Sequence, residues 1–335
     1  MQLGQPGGLV QVEDARHGLL RPTAACMPYR NTRQHTPHLL ETFVKLAFAS
    51  CTKLQQINPQ PVWSEIRAAR PDVLLLLGDT VYLDHGAHHQ PAPLAAELRR
   101  LYDGQLAEPH FAGLLADLRA RGAPVLAIYD DHDFLGNHRY GGDNDPALGL
   151  AARQELVRAL APAMTGSEVY SLTTVGPADI VVLDARLYRQ APGVSGHDRD
   201  AVLGATQWAW LEQVVHAAAP GRYLVLASSS TVHTFGDESW EQYPAAFARL
   251  RTLLASHPAA LVLSGDVHRN AAYDDSGLIE LVSSAVARNS LLFGVPRKNY
   301  GLLDFDTLGV QVDLRSLKAG GRFNFHIPRS QWALP

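Results

Sequence analysis

Residues Val73 to Leu77 read VLLLL, an unbroken apolar run that fits a strand buried on both faces of a sheet. The run stops at Gly78, which permits a sharp turn, and a carboxylate, Asp79, follows at once. Tyr82 comes three positions later and Asp84 two after that. Further apolar runs predict strands at 44–50, 125–129, 180–183, 223–227 and 260–263. Between them, helical spacing predicts helices at 61–70, 94–102, 109–121, 148–160, 205–217 and 245–256. In the fifth of these, Trp208, Leu211 and Val215 share a face, as do Phe247, Leu250 and Leu254 in the sixth; both faces read as core. Beyond residue 278 the chain alternates short β-rich runs with turns such as LKAGGRF, the pattern of closing hairpins.

Residues 1–44 carry Gly, Pro, His and Arg without either period and are expected to form an irregular extension. No internal repeat or low-complexity linker divides the remainder. Residues 45–335 are therefore expected to form one α/β domain.

Composition changes this picture little. Of 335 residues, 46% are apolar and 19% charged, an ordinary globular balance with enough chain for a large core. The net charge of −4 and the lack of a long basic block argue against a nucleic-acid or anionic-membrane partner. Two cysteines, Cys26 and Cys51, make no disulfide framework. The first residues contain no apolar core of signal-peptide length, so a cytoplasmic location is the expectation for the chain as given.

The chemistry lies where strands end. Cys51 closes one strand, Asp79 and Tyr82 the next, Asp131 and His132 a third, and Asp266 and His268 a fourth. In open α/β sheets, ligands bind beyond the carboxyl ends of the strands. Carboxylates, imidazoles, a phenol and a thiol gathered at one rim would repel or desolvate one another unless cations sat among them. Two metals with one bridging carboxylate are the natural occupants. Thiol plus phenol suits a redox-capable trivalent ion, and an oxygen-only neighbouring set suits calcium. Two other patterns are set aside. His85, His88 and His89 lack cysteine partners for zinc, and Ser228 to Ser230 with His233 lack a GxSxG elbow.

The strand ends AFASC, GDTVY, DDHD and SGDVH, in that order, resemble the alkaline phosphatase D (PhoD) branch of the calcineurin-like metallophosphoesterases. LDARLYR at 183–189, LGATQWAWL at 203–211 and ESWEQYP at 238–244 add to the likeness, which spans about residues 45–310. The resemblance and the βα alternation together imply a four-layer α/β/β/α sandwich. They imply a binuclear-metal hydrolase that cleaves phosphate mono- or diesters with a metal-activated hydroxide. Cys51, Asp79, Tyr82 and His268 would hold iron(III), and Asp79, Asp131 and Asp266 calcium, with Asp79 bridging; manganese, zinc or magnesium are possible substitutes. His132 would contact phosphate and help the leaving group, and Asn137 and Arg186 would meet phosphate oxygens. The expected partner is a small-molecule phosphate ester or other tetrahedral oxyanion ester. Two rival functions are sulfate-ester or phosphotriester hydrolysis on the same site, and a metal-free scaffold that binds phosphorylated ligands.

Overall fold

The apolar runs become parallel strands, and the amphipathic stretches between them become the helices that cover them. The computed structural model describes residues 11–12, 43–83, 89–141, 145–162, 168–193, 199–233, 238–275, 277–289, 296–317 and 323–332. Most of the expected irregular extension lies outside these, but Gln11–Val12 (β1) forms a short edge strand. The chain then runs β2 (Val44–Ala49), α1 (Val62–Ala69), β3 (Val73–Leu77), α2 (Pro91–Leu106), α3 (Pro109–Ala120) and β4 (Val125–Ile128). Next come α4 (Asp131–Phe134), α5 (Pro146–Leu160), β5 (Ser171–Val175), β6 (Ala178–Val182), α6 (Gly204–Ala217), β7 (Tyr223–Ser228), α7 (Pro244–Ala255) and β8 (Ala260–Ser264). The closing strands are β9 (Asn270–Asp275), β10 (Leu278–Ser283), β11 (Arg288–Asn289), β12 (Pro296–Arg297), β13 (Asn299–Phe305), β14 (Gly309–Ser316) and β15 (Phe323–Pro328).

Prolines set several helix starts. Pro91, Pro109, Pro146 and Pro244 each occupy the first turn, where a missing N–H costs no hydrogen bond. This is why α2 begins before the apolar spacing that starts at Leu94. Glu108 caps α3 by accepting from the Phe111 N–H at 2.7 Å.

Two sheets result. One has the order β15-β14-β13-β2-β3-β4, in which β2, β3 and β4 are parallel and the C-terminal hairpins add to β2. The other has the order β1-β9-β10-β8-β7-β6-β5, with β6, β7, β8 and β10 parallel. The strand period of two then sorts residues between layers. Tyr223, Val225 and Ala227 of β7 join the core that also holds β2, β3 and the helices α1, α2, α3 and α5. Leu224 and Leu226, on the opposite face of the same strand, pack with Trp208, Leu211 and Val215 of α6 and Leu250 and Leu254 of α7. Helices, sheet, sheet and helices therefore stack as the expected α/β/β/α sandwich. No helix among the described residues is long and apolar enough to cross a membrane.

The two sheets touch at the carboxyl ends of their parallel strands. Gly265, just past β8, sits so close to the first sheet that a Cβ there would lie 2.7 Å from Ser50 Oγ and 2.8 Å from the Leu77 carbonyl oxygen. Only a residue without a side chain fits between them. Gly265→Ala is expected to cost about 1–3 kcal/mol, the usual penalty for overpacking against backbone. A urea midpoint lowered at constant slope would show this, and an unchanged midpoint would refute the close approach.

Candidate active site

Because both sheets end at one rim, residues far apart in sequence meet there. The first sheet brings Cys51 after β2, Asp79 after β3 and Asp131 at the start of α4; the second brings Asp266 and His268 after β8. Each strand must turn at once to leave its side chain at the rim. Cys51, Asp79, Asp266 and His268 all take left-handed backbone, with φ of 60°, 52°, 68° and 54°. In residues other than glycine that conformation costs about 1–3 kcal/mol each and concentrates at functional sites. Gly78, at φ +87°, lets β3 turn against Asp130, whose Cβ would be 2.5 Å from an added methyl group.

The donor atoms form overlapping sets. Cys51, Asp79 and His268 offer ligand atoms within 4.8 Å of one another, and so do Asp79, Asp131 and His132. Asp79 belongs to both, as a bridging carboxylate must. The Cys51 thiol lies 3.5 Å from Asp79 Oδ2, and the Tyr82 hydroxyl donates to the same oxygen at 2.9 Å. Asp266 joins neither set at that separation. Its backbone carbonyl is 3.7 Å from Cys51 Sγ, and its half-buried carboxyl feels the charges of Asp130 and Asp131. His132 is almost wholly buried, with its ring 4.2 Å from that of Tyr82.

Electrostatics shows what this arrangement lacks. Burial, then the charges of Asp131, Asp130, Asp133 and Asp266, push the Asp79 carboxyl well above the usual carboxylate range. Burial and then Asp79 push the Cys51 thiol up, and burial with neighbouring carboxylates does the same to Asp266. Asp79 Oδ1 is buried without a hydrogen-bond partner among the described residues. An orphaned buried oxygen amid like charges, beside a thiol, a phenol and an imidazole, is what a metal centre requires of its ligands. The donor set therefore fits two cations.

Supporting groups hold the donors in place, and apolar periodicity gave no sign of them. Asp133 accepts from the backbone N–H of Thr80 at 2.9 Å and of Asp130 at 2.5 Å, which ties the end of β3 to the end of β4. Asp131 accepts from the N–H of His132 at 2.8 Å and of His138 at 2.6 Å. Ser284 lies 3.0 Å from Cys51 Sγ and accepts the His268 N–H at 3.0 Å. Lys53 places its ammonium 5.0 Å from the Tyr82 ring centre, a positive charge beside the site. Its one signal in sequence is that it follows Cys51 by two residues.

Of the residues expected at phosphate, Asn137 is exposed on the rim loop after α4. Arg186 is fully enclosed, with Nε on Asp130 at 2.5 Å and its two terminal nitrogens on Glu238 at 2.9 and 2.8 Å. These bonds brace the rim across the two sheets. Asp84, His85 and His88 lie outside the described residues.

Fold and donor set together define a metal-dependent phosphoesterase. The chain belongs to the PhoD-like phosphatase family, whose model matches residues 46–296. Among solved structures it is similar to PhoD, with 18% identity and a TM-score of 0.66 over 87% of this chain and 70% of that one. A dimetal phosphatase from Danio rerio shares 14% identity and a TM-score of 0.55, over 86% of this chain and 99% of that one. GAP50, the anchor in the inner membrane complex of Plasmodium, shares 13% identity and a TM-score of 0.54, over 86% and 89%. At these identities each likeness concerns the fold. No curated protein matches the sequence.

The raised carboxyls make a pH prediction. Unfolded aspartates lose their protons near pH ~4. In the folded, chelator-treated protein Asp79 and Asp266 keep theirs to higher pH, and burial pushes Asp133 up to about 8. The folded state then binds more protons than the unfolded one, so stability falls as pH rises through that window. Cations take the place of those protons and should remove the slope. Urea midpoints at about pH 5 and about pH 8, with and without metal, test this; a metal-free midpoint that rises with pH would contradict it.

Proposed function

We propose that the chain hydrolyses phosphate mono- and diesters, favours diesters, has an alkaline optimum, and uses iron(III) beside calcium. The observation that carries the reading is Asp79, shared between the set with Cys51 and His268 and the set with Asp131 and His132, and bonded to Tyr82 at 2.9 Å. A thiolate and a phenolate are anionic, strongly electron-donating ligands suited to a redox-capable trivalent ion, while Asp131 and Asp266 offer the oxygen-only set that suits calcium. Cations held there would lower the pKa of a coordinated water and offset phosphoryl charge.

The chain's own residues supply the rest. Asp79, Asp131 and Asp266 fix where the phosphoryl group can lie. His132, whose ring packs on Tyr82, donates a hydrogen bond to a phosphate or leaving-group oxygen in this reading. Lys53 draws an anionic ester toward the same edge.

Purification without added metals, elemental analysis, and assays on bis(p-nitrophenyl) phosphate and p-nitrophenyl phosphate form the test. Both esters should be cleaved, and chelation should abolish turnover reversibly; metal-free protein with full activity would overturn the reading. His132→Ala should lower turnover by about 10²–10⁴ with metal content unchanged, and loss of metal would make His132 a ligand.

Colour tests the iron assignment. A phenolate and a thiolate on iron(III) donate electron density that absorbs visible light, so the protein should be coloured. Tyr82→Phe should shift or bleach that band, and Cys51→Ser should weaken iron retention. A colourless, fully active enzyme containing zinc or manganese would refute iron and leave the phosphoesterase reading standing.

A further inference from the structure

One strand end at the rim brings no charged or metal-binding donor. β10 runs parallel to β8 and ends beside it, yet the residues that follow, Ser284 to Ala287, carry no carboxylate, imidazole or thiol. They fold over the end of β2 instead. The backbone N–H groups of Ala285 and Val286 donate to the Ser50 carbonyl at 3.2 and 3.1 Å, and that of Ala287 donates to the Cys51 carbonyl at 3.2 Å. Ala285 takes φ of +115°, a conformation that residues with a side chain rarely adopt and that the surrounding structure must impose. The strap so formed seats Ser284, fully buried, against Cys51.

Counting hydrogens decides what Ser284 does there. Its Oγ accepts the His268 N–H at 3.0 Å and lies 3.0 Å from Cys51 Sγ. A hydroxyl has one hydrogen and two lone pairs. His268 uses a lone pair, which leaves the hydrogen for the sulfur. A cysteine bound to a metal is a thiolate with no hydrogen of its own, so between these two atoms only the hydroxyl can donate. The other groups around Sγ do not replace it. The Asp266 carbonyl, at 3.7 Å, only accepts, and so does an ionised Asp79 at 3.5 Å. The Ser50 hydroxyl is more distant, at 3.6 Å, and has the Ser283 carbonyl as a second acceptor at 3.5 Å.

We infer that Ser284 is a positioning residue that donates a hydrogen bond to the metal-bound Cys51 thiolate while its oxygen holds the His268 backbone. One hydroxyl thereby couples a ligand of the first sheet to a ligand of the second. A hydrogen bond draws electron density from a thiolate sulfur and weakens its donation to the metal. Ser284 therefore sets how strongly Cys51 donates, beyond holding it in place. The inference rests on the reading of Cys51 and His268 as ligands of one metal.

The test uses the full chain, stripped of metal and reloaded with cobalt(II), whose bond to a thiolate absorbs in the near ultraviolet whatever the native metal is. Ser284→Ala should move that band to lower energy and weaken cobalt binding about 10–100-fold, the usual worth of a group that orients a metal ligand. Ser284→Gly removes the hydroxyl without adding volume and gives the same comparison should the alanine variant not fold. Ser50→Ala removes the more distant hydroxyl and should leave the band in place. A band unmoved by loss of the Ser284 hydroxyl, at equal cobalt content, overturns the inference, since a merely structural serine would change affinity alone. A band moved as far by Ser50→Ala overturns it too. Wild-type cobalt protein without a thiolate band overturns Cys51 as a ligand and this inference with it. None of these results depends on turnover of a phosphate ester.

Discussion

Buried like charge is the constraint on which the rest depends. Asp79, Asp130, Asp131 and Asp133, each almost or fully removed from water, crowd one rim with the half-buried Asp266, and each carboxylate raises the cost of ionising its neighbours. A polypeptide pays for such a cluster only by surrounding it with donors or by admitting cations. Here it does both. Backbone N–H groups of Thr80, Asp130, His132 and His138 point at Asp133 and Asp131, and the Arg186 guanidinium takes Asp130. Asp79 keeps a buried oxygen without a hydrogen-bond partner among the described residues.

The same rim explains why two sheets are needed. One sheet alone brings Cys51, Asp79 and Asp131 together but supplies no imidazole from the far side. Asp266 and His268 arrive from the second sheet, and Gly265 lets that strand end approach Ser50 and the Leu77 carbonyl. Arg186, from the end of β6, reaches Asp130 at the end of β4, so an ion pair spans the seam. The site is thus a product of sheet packing as much as of any one motif. Local strain is spread over several residues with left-handed backbone, each held by the core beneath it.

Function follows from how the outward layers are graded. Deepest are the thiol, phenol and carboxylates that suit metal ions. Above them lies His132 against Tyr82, and outermost is the exposed imidazole of His138 on Glu238. Glu238 illustrates the reach of tertiary structure. It sits in the stretch ESWEQYP, whose resemblance to the family was visible, yet its link to His138, 100 positions earlier, was not.

The apolar runs by themselves determined the parallel strands and the helices between them, because a strand buried on both faces admits no other pattern. The chemistry at the strand ends was equally legible, since Cys51, Asp79, Asp131, Asp266 and His268 each follow an apolar run within five residues. Edge elements were not: β5 reads SLTTV with alternating partial exposure, and its place beside β6 is fixed by pairing alone. The role of Arg186 was also hidden, because a guanidinium near a strand end suits phosphate and carboxylate equally well. Only the folded structure shows it enclosed between Asp130 and Glu238. Asp133, Ser284 and His138 stayed unread for the same reason: their partners are chosen by where two sheets meet, and sequence spacing carries no record of that.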